Sequence, residues 1–303
     1  MDSVRIRAPA TTANLGAGFD VCGMALLEPS DHYVFQKADA WSVVNQTPLL
    51  AATDSEKSVF AFVWKAMREK FGLSGSLAIA AEKGVKPSAG MGSSACEASA
   101  TALAVNELFK LGLSREELVY CAGTGEAFAA GQPHYDNVAP CVLGGFTITY
   151  GTDPLQVKRL DAPDLALLLV RSDKTKPSTA FARGVLPQTV PRADALANTF
   201  TLAKLLVGFF ESNSTLVANA LDDRIVEPAR SNAGILPHLM ELKELAATHG
   251  FGAAASGAGP TLICVGTKKS ADLEQTVRAL YDAKGIKTDL LWTQPSQAGV
   301  CVA

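Results

Sequence analysis

The sequence predicts an α+β protein in two domains, and three stretches carry that expectation. An alternating run, Leu77-Ala78-Ile79-Ala80-Ala81-Glu82-Lys83, leads through a glycine-rich segment into good helix formers from Ala98 to Leu108. Far downstream, Leu165 to Val170 is continuously apolar and reads as a buried strand. Between Gly250 and Val265 the pattern is strand, glycine turn, strand. A chain of 303 residues can build two cores, and Gly151 to Pro154 is the best boundary, giving domains of 1–153 and 154–303.

Composition narrows the function. Hydrophobic residues make up 48% and charged residues 19%, as in ordinary globular proteins. The net charge of −3 offers no general attraction for nucleic acid, so phosphate would have to be held by local groups. No run of roughly eighteen apolar residues is present, so no membrane span is expected. The N-terminus lacks the apolar core of a secretion signal. The cysteines Cys22, Cys96, Cys121, Cys141, Cys264 and Cys301 are scattered without CxxC or Cys/His clusters. Zinc and a disulfide frame are therefore not suggested, and free thiols in a reducing cytoplasm are the simple expectation.

Taken in order, Val4 to Ala8 alternates as a first strand that Pro9 ends or edges. Ala10 to Asp20 is a small-residue stretch that fits a surface loop. Asn14 and Asp20 also set polar groups in a segment running into Val21-Cys22-Gly23-Met24, where burial would demand partners such as a ligand. Asp31 to Gln36 reads as a strand, and Lys57 to Lys70 as an amphipathic helix ending near Gly72.

The segment Lys86 to Glu97 stands out. Gly90 and Gly92 permit backbone conformations closed to other residues, and Pro87 discourages an earlier helix start. Strand, glycine loop and helix start aim free N–H groups and a positive helix end at one point, which suits phosphate. Ser93 and Ser94 add hydroxyls for a phosphate oxygen or Mg²⁺. The same pattern fits a plain capped turn, and no G-x-x-x-x-G-K-[ST] loop is present.

Ser114 to Glu117 fits a capping box for a following helix. A Glu on a helix face is usually solvated, but Glu126 sits among small residues, as if pressed against something. Gly131 to Pro140 is the densest polar cluster. A Ser/His/Asp triad there lacks a G-x-S-x-G elbow. A glycine turn and strand follow to Tyr150. Helices are expected at Ala193–Phe210, Leu236–His249 and Ala271–Ala283, and strands at Asp289–Trp292 and Gly299–Val302 complete the second domain. Arg183, and Arg224 or Arg230, are of the residue type that grips a carboxylate bidentately.

The run Pro87-Ser88-Ala89-Gly90-Met91-Gly92-Ser93-Ser94-Ala95 resembles the ATP loop of the GHMP kinases, the family of galactokinase, homoserine kinase, mevalonate kinase and phosphomevalonate kinase. Pro9-Ala10-Thr11-Thr12-Ala13-Asn14-Leu15-Gly16-Ala17-Gly18-Phe19-Asp20 and His134-Tyr135-Asp136-Asn137-Val138-Ala139-Pro140 resemble the homoserine kinase branch. The turn near Ser256-Gly257-Ala258-Gly259 resembles the family's third motif, which packs beside the phosphate loop.

That resemblance implies an N-terminal domain like domain 2 of ribosomal protein S5 and a ferredoxin-like C-terminal domain. It implies phosphorylation of the L-homoserine hydroxyl by ATP with Mg²⁺, a step toward threonine, in the cytoplasm. Residues 87–95 would hold ATP, and Ser94 and Glu126 would hold Mg²⁺. Asn14 and Asp20 would take the ammonium, Arg183 and Arg230 the carboxylate. His134, Asn137 and Thr179 would line the pocket near the hydroxyl, with Arg230 preferred to Arg224 because it ends a Glu-Pro-x-Arg segment. Asn137 stands where sibling kinases have an aspartate base, and an amide accepts no proton. Asp136 would point elsewhere if the chain there is extended, so the hydroxyl is expected to lose its proton late, to the phosphate. No nucleic-acid or membrane partner is expected; a homodimer stays open. The alternatives are another kinase of the family and a non-catalytic ATP-binding sensor on the same fold.

Overall fold

The computed structural model describes residues 2–47, 57–173 and 178–303. Strand β1 (Ser3–Ala13) pairs antiparallel with β2 (Cys22–Ala38), Val4 opposite Phe35 and Ala8 opposite Asp31. Pro9 does not end β1. An irregularity between Pro9 and Thr11 absorbs the missing N–H, and the strand runs on into the small-residue stretch. That stretch is buried rather than looping over the surface.

Strand β3 (Ser42–Asn45) precedes helix α1 (Val59–Phe71), which starts on the Ser58 hydroxyl and stops at a left-handed Gly72. Strand β4 (Ser76–Glu82) feeds the glycine segment, and α2 (Ser93–Phe109) follows it. The expected capping box between Ser114 and Glu117 opens α3 (Arg115–Ala130). Helix α4 (Tyr135–Leu143) occupies the polar cluster, and β5 (Phe146–Thr152) and β6 (Leu155–Leu160) form a hairpin.

Beyond them come β7 (Ala166–Ser172), α5 (Thr179–Gly184), α6 (Arg192–Phe210), α7 (Ser214–Ala218), α8 (Val226–Asn232) and α9 (Leu239–Thr248). Strands β8 (Gly252–Ala255) and β9 (Leu262–Gly266), helix α10 (Ala271–Ala283), and strands β10 (Thr288–Thr293) and β11 (Cys301–Val302) complete the described elements.

Two sheets result. The first runs β11-β1-β2-β4-β3, with β5 beside β2 and β6 beyond it. The second is antiparallel in the order β10-β7-β9-β8. Counted from β7, that order is 4-1-3-2, with helices between its first and second and its third and fourth strands, a ferredoxin-like plan.

The halves are less separate in sequence than the 153/154 boundary implies. That boundary falls in the turn of the β5–β6 hairpin, and the first sheet runs on to Leu160. Strand β11, expected in the second domain, pairs with β1 instead. Leu205 and Phe209 of α6 share the larger core with Ile6, Met24 and Phe146. The smaller core, around Leu168, Leu242, Leu273 and Tyr281, lies under α9 and α10.

Candidate active site

Where β1, α2, α4 and the β8–β9 turn converge, the structure opens a cavity of about 180 Å³. Its floor is the glycine segment. Gly90 and Gly92 both take positive φ, and Gly92 is the residue from which α2 starts. A side chain at Gly92 would strike the Thr11 hydroxyl, and one at Gly90 the backbone of Ser256 and Gly259.

The loop's carbonyls are used on its outer side. Met91 O accepts from Thr11 N at 3.1 Å, Gly90 O from the Ser256 hydroxyl at 2.8 Å, and Ala89 O from Thr261 N at 3.3 Å. The β8–β9 turn therefore braces the loop from the second half of the chain, as expected of the third motif. Gly90, Gly92, Ser93 and Ser94 face the cavity at the start of α2.

At one wall the Ser94 hydroxyl donates to Glu126 Oε1 at 2.8 Å. Glu126, on α3, is buried, so its small-residue surroundings do mark a packed face. His134 Nδ1 lies 3.8 Å from Glu126 Oε1, and its imidazole pKa is raised chiefly by hydrogen bonding to Glu126. A hydroxyl and a carboxylate are hard oxygen donors suited to Mg²⁺ beside phosphate oxygens. Among the described residues no group of three or more His, Cys, Asp or Glu is arranged for a metal by itself, so the phosphates would have to complete the shell.

The local chain at Asp136 is helical, not extended. Both Asp136 and Asn137 consequently line the cavity. Asn137 Oδ1 accepts from the Thr11 hydroxyl at 2.8 Å, and its amide nitrogen donates to Asp136 Oδ1 at 3.3 Å. Burial pushes the Asp136 carboxyl up to about 6; Asp20 nearby adds to the rise and His134 opposes it.

Across the cavity, Asp20 and Arg183 grip each other with two hydrogen bonds of 2.7 and 2.8 Å. Gln132, with its amide oxygen turned inward, reaches Arg183 at 2.7 Å. Arg230 is almost wholly buried, donating to Ala182 O at 3.2 Å and Gly257 O at 3.1 Å. Both guanidinium groups lie over the Phe19 ring, at 5.4 and 5.2 Å. Burial lowers the Arg230 pKa and Arg183 beside it lowers it further. Arg224 is exposed and does not line the cavity.

Asn14 does line the cavity, but its amide is also structural. It donates to Gly257 O at 2.8 Å and accepts from Asp20 N at 3.2 Å. Thr179 is the first residue of α5, and its side chain lies outside the described residues. The structure thus brings Asn14, Asp20, Ser94, Glu126, His134, Asn137, Arg183 and Arg230 around one cavity.

Sequence reading missed the braces: Thr11, Phe19, Gln132 and Ser256. A second gap is the buried group Lys83, Asp31, Tyr33 and Glu97. Lys83 Nζ lies 2.6 Å from Asp31, 2.9 Å from Glu97 and 3.0 Å from Tyr33 Oη. Asp31 Oδ1 accepts from Gly84 N and Val85 N, each at 2.8 Å, just before the glycine loop. The one legible signal was a lysine following Glu82 at the end of a largely apolar run.

Residues 58–145 match the family model described as GHMP kinases N terminal domain, and residues 203–286 match GHMP kinases C terminal. The chain is 36% identical over 293 residues to a homoserine kinase of Methanocella arvoryzae, covering 95% of this chain and 94% of that one. It is 38% identical to a homoserine kinase of Methanopyrus kandleri, covering 93% and 94%. The crystal structure of homoserine kinase from Cytophaga hutchinsonii superposes with a TM-score of 0.89 at 30% identity, over 100% of this chain and 98% of that one. A mevalonate kinase of L. major, at 17% identity and a TM-score of 0.72 over 97% and 96%, shares the fold.

Proposed function

The chain belongs to the GHMP kinases, in their homoserine kinase branch, and from that premise we propose how its cavity performs the reaction. It is an ATP-dependent phosphotransferase with an alcohol acceptor, moving the γ-phosphoryl group to the side-chain hydroxyl of L-homoserine. The product, O-phospho-L-homoserine, serves threonine synthesis. The observation that supports the site best is the meeting of a phosphate-type loop with three carboxylates, Asp20, Glu126 and Asp136, and two arginines around a single cavity.

Phosphoryl transfer depends on positioning and charge neutralisation more than on covalent help. Backbone groups of residues 87–95 hold the ATP phosphates, their carbonyls being engaged on the far side. Ser94 and Glu126, already hydrogen-bonded to each other, would hold Mg²⁺, which would neutralise charge on the phosphoryl oxygens. Arg183 and Arg230 take the substrate carboxylate, and Asp20 with Asn14 the ammonium. Since Asp20 and Arg183 clasp each other, a zwitterion parts them and offers each a replacement of opposite charge. A ligand with one charge leaves its counterpart unpaired and an uncharged one finds the clasp closed, which favours amino acids over both. His134 and Asn137 line the hydroxyl end, and Thr179, the first residue of α5, is assigned to the same pocket. The enzyme works in the cytoplasm.

For the hydroxyl proton, one route is late loss to the phosphate, with Asn137 only orienting the nucleophile. The position of Asp136 favours a second route. It is a cavity-lining carboxyl poised near 6, ionised at neutral pH and adjacent to Asn137, so it can accept the proton. Homoserine-dependent ADP formation, followed by phosphorus NMR of the product, tests the activity. Turnover of mevalonate or galactose instead would select a sibling kinase, and ATP binding without turnover a sensor. A folded, substrate-binding Asp136→Asn variant that loses kcat by orders of magnitude selects Asp136 as base; near-normal kcat selects the phosphate route.

A further inference from the structure

Thr11 and Thr12 are neighbours on β1, both wholly buried, yet their hydroxyls are used differently. Among the described residues the Thr12 hydroxyl meets no hydrogen-bond partner. The Thr11 hydroxyl lies 2.8 Å from Asn137 Oδ1 on α4, a residue 126 positions away. Glycine at position 92 makes room for that contact, since a Cβ there would collide with the Thr11 hydroxyl and crowd Asn137 Oδ1.

The polarity of the contact is fixed from its other end. Asp136 Oδ1 stands 3.3 Å from the Asn137 amide nitrogen. Reversing the amide would set its oxygen against a carboxylate, which has no proton to share when ionised. The nitrogen therefore faces Asp136, the oxygen faces Thr11, and the Thr11 hydroxyl is the donor. The Thr11 backbone serves the opposite side of the site: its N–H donates to Met91 O at 3.1 Å, inside the phosphate-type loop. Thr11 itself does not line the cavity.

Resting on the kinase reading of the cavity, we propose that Thr11 is a positioning residue for phosphoryl transfer. Its hydroxyl locks the Asn137 amide with the nitrogen toward Asp136 and the acceptor hydroxyl, while its backbone fixes the loop that holds the phosphates. One residue thus sets the separation of acceptor and phosphates. Transfer depends steeply on that separation, because a misplacement of about 1 Å can cost on the order of a hundredfold in rate. With its oxygen turned to Thr11, Asn137 offers the acceptor an N–H. The acceptor oxygen accepts from it and keeps its own proton for Asp136 or the phosphate.

The competing account makes Thr11 a filler of the space beside Gly92, with no part in the rate. Thr11→Val separates the two, since it keeps the shape and removes only the donor. Steady-state kinetics of homoserine-dependent ADP formation by the full chain would be measured for wild type, Thr11→Val, Thr11→Ser, Thr12→Val, Asn137→Ala and the double variant T11V/N137A. Thr11→Val should lower kcat about tenfold, the worth of one buried hydrogen bond, with both KM values within about twofold of wild type. Thr11→Ser should recover most of that loss, and Thr12→Val should match wild type. In the Asn137→Ala background Thr11→Val should cost nothing more, because no amide is left to hold. The pair Thr11→Ser and Thr11→Ala, differing only in the hydroxyl, repeats the comparison if the valine variant does not fold. Normal kcat in Thr11→Val, an equal loss in the Asn137→Ala background, a serine variant no better than valine, or a matching loss in Thr12→Val would overturn the proposal and leave the kinase reading standing. A wild-type chain without homoserine-dependent turnover would overturn both.

Discussion

At the scale of single residues, the Asp20–Arg183 clasp and the Asp136 carboxyl decide most. Asp20→Asn keeps the shape of the side chain but removes the charge proposed to answer the substrate ammonium. It should raise the homoserine KM roughly tenfold to a hundredfold, the worth of one charged hydrogen bond, with the KM for ATP little changed in steady-state kinetics. Asp136 makes a different prediction, in stability. Its folded pKa of about 6 lies above the ordinary 3.8, so the native state binds the proton more tightly than the unfolded chain does. Its contribution is full below about 3.8 and is lost as pH rises through 6. Asp136→Asn removes that loss, so its melting temperature relative to wild type should climb between pH 4 and pH 7, by an equivalent on the order of a few kcal/mol. A gap constant with pH would refute the shift. Neither behaviour was legible from the sequence. The clasp joins residues 163 positions apart. The exposure of Asp136 to the cavity turned on whether residues 135–143 coil or extend, and an internal Pro140 with several polar neighbours hid the helix.

Among the elements, those that announced themselves had local chemistry to do it. Ser58, Ser114 and Ser270 cap α1, α3 and α10; α1 and α10 lie within a residue or two of their expected spans, and α3 starts at the expected capping box. Strand β11 was misassigned because a two-residue strand carries no sign of its partner, β1. The buried group at Lys83 was hidden for the same reason: its members come from β2, the residue just after β4, and α2. It fixes the glycine loop at both ends, through Gly84 and Val85 before it and Glu97 after it. Lys83→Met leaves Asp31 and Glu97 buried without their cation and should cost about 3–5 kcal/mol in urea unfolding. At permissive temperature it should also weaken ATP binding more than homoserine binding. Equal weakening of both would make the group a general support rather than a brace of the loop. Gly90→Ala attacks the same loop from the other side, forcing a side chain against Ser256 and Gly259 at φ 80°. Loss of ATP binding by that variant, with the second sheet intact by hydrogen exchange, is the expected result.

For the whole molecule, the motifs carried the fold class because they mark places where backbone packs closely on backbone, as residues 89–91 do on the turn at 256–261. They could not say where one half stops. The first sheet takes strands from residue 3 to residue 302, and α6 lends its inner edge to the first core from the middle of the second half. Composition cannot show such interleaving, since both cores draw on the same aliphatic residues.

The bracing of residues 89–91 by the turn at 256–261 also sets an order of events during synthesis. A ribosome finishes the glycine loop and its helix long before it makes the turn that fixes them. The emerging N-terminal half can therefore form much of its sheet while remaining blind to nucleotide. Competence should arrive abruptly, when β8 and β9 leave the exit tunnel, and stalled chains of graded length would show it as a step in nucleotide-analogue fluorescence. Until that step, the nascent chain is spared from capturing ATP on a half-built site.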